Sequence, residues 1–123
     1  MGTDLACADV TSDGRSDLVA SAPTPDDDGV VFLFDDVSSL PAAPLATLSA
    51  GTGVVGHQVK VTDFNGDGVT DIVVSRLRGS ATPAGAVLVW FGRQTWPSTI
   101  TSADLTIPNP SAVAGEQFGV SLD

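Results

Sequence analysis

The chain repeats itself. Residues 9 to 17 read DVTSDGRSD and residues 63 to 71 read DFNGDGVTD, 54 positions further on, and the likeness runs well beyond these acidic segments. At the same offset DLVAS (17 to 21) lies on DIVVS (71 to 75), while Gly2, Leu5 and Asp9 lie on Gly56, Val59 and Asp63. Further on, GVVFLF (29 to 34) corresponds to GAVLVWF (85 to 91), after a slightly longer loop in the second copy. Such a period constrains the fold strongly, because each unit must be one supersecondary motif that buries its apolar face against the next.

Within each copy, short runs rich in Val, Ile, Leu and Phe alternate with clusters of Gly, Pro, Asp, Asn and Ser, which is the pattern of strands and turns. The spacing predicts strands near 4–8, 17–22, 29–34 and 45–49 in the first copy, and near 56–62, 71–76, 85–91 and 104–108 in the second. No window sustains a 3.6-residue apolar period, and TPDDDG, LPAAP, TPAG and PNP would interrupt a helix. The expected fold class is all-β: two β-propeller blades, each a four-stranded antiparallel meander. The first blade is expected over 1–54 with an incomplete first strand, and the second over 55–115. Residues 116–123 then begin a further blade, since Gly119 and Leu122 align with Gly56 and Val59. That segment is what the first copy lacks, so the two ends read as complementary parts of one strand.

Charge narrows the partners. Fifteen acidic residues face five basic ones, a formal net charge of −10, and much of the acid is concentrated in the two repeated stretches. Such a field repels nucleic acid and anionic membrane surfaces and attracts cations. No apolar run approaches the ~20 residues that cross a bilayer. The start, MGTDLACADV, lacks the basic and apolar regions of a signal peptide. Cys7 is the sole cysteine, which excludes an internal disulfide and a cysteine-based zinc site and leaves a buried small apolar residue as its expected role.

The acidic stretches offer oxygens at alternate positions, as a short calcium loop does. In the second copy the ligand set is Asp63, Asn65, Asp67, the backbone carbonyl of Val69, and Asp71; in the first it is Asp9, Thr11, Asp13, the carbonyl of Arg15, and Asp17. Thr11 replaces an amide with a hydroxyl and Ser12 replaces Gly66, so the first site is expected to be the weaker. An EF-hand begins the same way but needs a bidentate Glu at its twelfth position and a helix on either side. The twelfth positions here are Ala20 and Val74, both inside expected strands. Magnesium wants strict octahedral geometry and keeps several waters, so calcium is the expected ion.

Taken together, FGVSL (118 to 122), DVTSDGRSDLVASAP and DFNGDGVTDIVVS, and the runs GVVFLF and GAVLVWF resemble the FG-GAP repeat of integrin α-chain β-propellers and of many bacterial extracellular proteins. The resemblance covers nearly the whole chain. Ser21-Ala22-Pro23 stands near the family's Gly-Ala-Pro, whereas the second copy has Ser75-Arg76-Leu77; Phe118 is matched by Val55, and by Met1 in the first copy. The resemblance implies a closed ring of blades, a cation in each acidic loop, an extracellular or cell-surface parent protein, and an adhesion-like role in binding a protein or glycan. Two blades leave exposed sheet edges, so copies of the chain are expected to join head to tail, a trimer giving a six-bladed ring and residues 116–122 completing the first blade of a neighbour.

No Ser-His-Asp order, phosphate loop or nucleophile elbow is present, and the expectation is a non-catalytic module. Two other readings remain open at this point. One is a part of an extracellular hydrolase or lyase whose site forms between blades around acids such as Asp104 or Glu116; the other is a truncated or designed fragment whose role is assembly. Among single residues, His57 has no partner for a zinc or acid-base site, Trp90 and Phe91 are expected to pack between blades, Trp96 is the candidate for an exposed contact, and Asp26 to Asp28 form a solvated turn.

Overall fold

The computed structural model describes residues 4–23, 29–39, 43–50, 55–76 and 85–110. Nine strands fall in these segments: β1 (Leu5–Ala8), β2 (Asp17–Pro23), β3 (Gly29–Phe34), β4 (Ala46–Leu48), β5 (Val55–Thr62), β6 (Asp71–Arg76), β7 (Ala86–Trp90), β8 (Thr99–Ile100) and β9 (Leu105–Pro108). The one helical piece described is a 3₁₀ turn at Val37–Ser39. The protein is all-β, and each repeat forms its own sheet. β1-β2-β3-β4 and β5-β6-β7-β9 are both antiparallel meanders, the architecture of a propeller blade. The expected strand at 116–122 and the turn at 26–28 lie outside the described residues.

Strand β8 was not legible in the sequence. It leaves the second repeat to pair in parallel with β4, Thr47 opposite Thr99 and Leu48 opposite Ile100. Hydrogen bonds from Thr47 N to Ser98 O (3.0 Å) and from Ser49 N to Ile100 O (2.8 Å) extend the contact. The free edge expected on the first sheet is thereby covered by its own chain over this stretch. A two-residue parallel pair formed by residues ~50 apart has no local periodicity to announce it.

Alternation decides which face of each sheet is buried. Val19, Val31, Leu33, Ala46 and Leu48 of the first sheet meet Val59, Ile72, Val74, Leu88 and Trp90 of the second, forming one core between the blades. Fully burying side chains of this kind contributes roughly 1.5–3 kcal/mol each, so the seam between blades carries a large share of the stability. The blades approach so closely that a Cβ at Gly56, where φ is +89°, would sit 2.7 Å from the Ser21 Cβ. A second cluster, Val73, Val87 and Val89 with Phe91 and Ile107, lies on the opposite face of the second sheet.

Two expectations need correction or refinement. Cys7 is exposed rather than buried. It shares with Leu5 (60% exposed) the face of β1 that points away from the interblade core, whereas Ala6 on the other face packs against that core. The Ser-Arg-Leu departure in the second copy also leaves the meander intact: Arg76 is buried, and its Nη1 donates to the Ala50 carbonyl of the first repeat at 2.7 Å. Burial lowers the pKa of this guanidinium, and its Nε has no hydrogen-bond partner.

Candidate metal centre

Each acidic stretch connects the first two strands of its sheet, β1 to β2 and β5 to β6, with no helix on either side. The strand-loop-strand geometry expected from the sequence is therefore present, and the EF-hand alternative is excluded. The two loops share a set of hydrogen bonds. Asp9 accepts from Asp13 N through Oδ1 (3.1 Å) and from Gly14 N through Oδ2 (2.8 Å); Asp63 accepts from Asp67 N (3.0 Å) and Gly68 N (2.8 Å) in the same way. Asp13 Oδ1 accepts from Arg15 N and Asp67 Oδ1 from Val69 N, both at 2.8 Å. Thus the aspartates that open each loop curl the backbone around themselves, and the Arg15 and Val69 peptides are placed beside them.

The ninth-position aspartates anchor the loops from below. Asp17 and Asp71 are both fully buried. Asp17 accepts from Val10 N (2.9 Å), Thr11 N (3.1 Å) and Asp36 N (3.1 Å), and Asp71 from Phe64 N (2.8 Å), Asn65 N (3.4 Å) and Gly92 N (2.8 Å). Three N–H donors satisfy a buried carboxylate while leaving lone pairs on its two oxygens, which can accept about four bonds in all. The third positions differ: Thr11 Oγ1 reaches Asp9 Oδ1 at 3.5 Å, while Asn65 bridges Asp67 with both ends of its amide (3.1 Å each).

Backbone conformation repeats as well. Gly14 and Gly68 have φ of +86° and +87°, and Ser12 (+61°) takes the left-handed conformation that Gly66 (+78°) holds in the second loop. The Ser12 substitution noted in the sequence therefore costs backbone strain without altering the path of the loop.

One acidic side chain at the first loop was missed by sequence reasoning. Asp35, just beyond β3, brings an oxygen within 4.8 Å of oxygens of Asp13 and Asp17. Desolvation first, and then its approach to Asp17 and the charges of Asp17, Asp13 and Asp36, raise its carboxyl pKa above the ordinary value. Its neighbour Asp36 pairs with Arg15 at 3.0 Å; the Ser38 hydroxyl foremost, with the Ser38 N–H and Arg15, holds that carboxyl pKa below its ordinary value against a desolvation effect of opposite sign. Among the described residues no comparable trio of carboxylates occurs at the second loop. The position across from Asp71 that matches Asp35 is Phe91, because Leu18 pairs with Phe34 where Ile72 pairs with Trp90. The signal for Asp35 lay in strand register rather than in the motif.

The first loop is also an interblade contact. Val10 O accepts from Arg93 N and from Trp96 Nε1, both at 3.3 Å. Trp96 is 6% exposed, so the expected exposed contact residue is instead buried against the neighbouring blade, with the Arg93 guanidinium 4.8 Å over its ring. Arg93 in turn pairs with Asp104.

Two comparisons meet this geometry. The model of the FG-GAP-like repeat matches residues 9–74, more than half of the chain, from the first acidic loop through the second loop to β6. The chain belongs to the FG-GAP-like repeat family. Over 135 aligned residues it is 32% identical to integrin alpha-IIb of Mus musculus, an alignment covering 98% of this chain and 13% of that relative. The match thus spans β2 to β4 of the first sheet, both acidic loops and the opening strands of the second sheet. Family and relative alike point to a structural module rather than a catalytic one. No helix among the described residues is long and apolar enough to cross a membrane.

Proposed function

We propose that this chain is a calcium-binding, non-catalytic β-propeller module that presents its loops for protein or glycan recognition, within an extracellular or cell-surface protein. The observation that carries the reading is the duplicated cradle: two loops that share a set of hydrogen bonds, in which the aspartates at the first, fifth and ninth positions each accept from loop backbone N–H groups. The donor set fits a hard cation, since it is all oxygen, and one carboxylate oxygen beside it, Asp35 Oδ1, is shut off from solvent with no donor. Calcium at these positions neutralises carboxylates that otherwise repel, and so couples metal binding to folding. Thr11, Asn65 and the carbonyls of Arg15 and Val69 complete the two sets.

The module reading extends to assembly. The face of the first sheet turned away from the core carries Leu5, Leu18, Phe32 and Phe34, with Phe32 and Phe34 rings 6.4 Å apart, and the corresponding face of the second carries Val73, Val87, Val89 and Ile107. Two unlike apolar faces on opposite sides of one unit suit head-to-tail joining of further blades, which closes a ring when the rotation allows it. Three copies of the chain give six blades. The test is a melting experiment with calcium and with chelator, accompanied by light scattering. A calcium-dependent rise in melting temperature and a mass of three chains are expected. No shift contradicts the metal reading, and a monomer at micromolar concentration contradicts the ring.

A further inference from the structure

The trio of Asp13, Asp17 and Asp35 has the dimensions of a coordination shell. Each residue offers an oxygen within 4.8 Å of the other two, and ligands on opposite sides of a calcium ion at 2.3–2.6 Å stand about 5 Å apart. Asp13 and Asp17 are compensated by backbone N–H groups, from Arg15 to the first and from Val10, Thr11 and Asp36 to the second. Asp35 is not: its Oδ1 is screened from solvent and meets no donor. An acceptor left in that state costs about 1–3 kcal/mol, and more when charged, unless something else satisfies it. Asp13 and Asp35 border a cavity of about 340 Å³, lined also by Thr11 and by Gln94, Thr95 and Trp96 of the second repeat, which is room for a cation and its water.

We propose that Asp35 is a direct ligand of the cation in the first loop, a role that rests on the calcium reading above. The first site then holds four carboxylates, Asp9, Asp13, Asp17 and Asp35, with the Thr11 hydroxyl and the Arg15 carbonyl. The second holds three, Asp63, Asp67 and Asp71, with the Asn65 amide and the Val69 carbonyl, and Phe91 stands where a fourth would be. Affinity in oxygen cages is set in part by the number of charged ligands. Asp35 therefore offsets the loss of the amide at Thr11, and the first loop is not the weaker of the two. It also makes the two sites chemically distinct, although the motif that announces them is the same.

Asparagine at position 35 separates a ligand from a structural role, because it keeps the shape and removes the charge. The probe is calcium, titrated into the full chain and followed in ¹H–¹⁵N spectra through the Gly14 and Gly68 amides, which are bonded to Asp9 and Asp63 and report on one loop each. In Asp35→Asn the calcium Kd read at Gly14 is expected to rise by about tenfold, with the Gly68 titration unchanged. The calcium-free melting temperature is expected to rise in the same variant, since one of three crowded charges is gone. An unchanged Gly14 titration overturns the proposal and leaves the calcium reading standing. If calcium moves neither glycine in the unsubstituted chain, both fall.

Discussion

Val10 and Phe64 occupy the same place in successive loops, yet Val10 is fully buried and Phe64 is 45% exposed. Each donates its N–H to the buried aspartate of its own loop, at 2.9 and 2.8 Å, so the local structure is alike. What differs is the neighbour. The stretch between β7 and β8 folds over the first loop and caps the Val10 carbonyl with Arg93 N and Trp96 Nε1, whereas no described residue caps Phe64 in that way. Among the described residues the second loop is thus left open where the first is covered.

Substituting the two residues should therefore have opposite consequences. Val10→Ala is expected to lower folding stability by about 1–3 kcal/mol in urea denaturation, the range for removing buried methyl groups beside a rigid neighbour. Phe64→Ser is expected to change stability by under about 0.5 kcal/mol, as exposed positions do. If ring closure is correct, Phe64→Ser instead weakens self-association in sedimentation or light scattering. Equal destabilisation by both substitutions would contradict the assignment of Phe64 to an interface.

Trp96 and Val10 connect the repeats, and their contact predicts how the blades unfold. Trp96→Ala should cost about 3–5 kcal/mol and lower the stability of the first repeat although the residue belongs to the second. Hydrogen exchange at β2 and β3 amides reads this directly. Exchange that accelerates in β6 and β7 alone would mean that the blades fold independently.

Gly68 offers a clean test of backbone geometry. Its φ is +87° and a Cβ there would meet nothing within 4 Å, so Gly68→Ala changes conformational preference without a clash. A loss of about 1–2 kcal/mol is expected from denaturant unfolding. In the first loop the converse holds: Ser12, at φ +61°, should tolerate Ser12→Gly with a gain of about 0.5 kcal/mol. A loss on Ser12→Gly would place a side-chain role there that outweighs strain.

The fate of Arg76 separates packing from charge. Its guanidinium is buried, makes one hydrogen bond to Ala50 O and leaves Nε unpartnered. Arg76→Ala is expected to cost about 2 kcal/mol through lost packing and an orphaned carbonyl, and Arg76→Met should recover more than half of that, since its stem fills the space without a buried charge. Melting curves of the two variants decide it; a methionine variant no better than alanine would put the stabilisation in the charge.

The strands and the loops were legible because their signals are local. Alternating apolar runs such as GVVFLF and the offset between Asp9 and Asp63 place eight of the strands and both acidic loops without reference to anything distant in the chain. What escaped is what depends on register or on the neighbouring blade. Asp35 meets Asp17 only because β2 and β3 pair as they do, β8 exists only because β4 offers an edge, and Trp96 is buried only because Val10 lies beneath it. Cys7 fails in the other direction: a residue type that is usually buried stands on the open face of an outer strand.

Calorimetric titration of the calcium-free chain with calcium tests the central claim most directly. Two ions per chain are expected to bind, with one retained after Asp63→Asn combined with Asp67→Asn, and each site stabilises the fold by about 2.7 kcal/mol when calcium stands a hundredfold above its Kd. A chain that takes up no calcium at millimolar concentration, and melts at the same temperature with calcium as with chelator, would contradict the account.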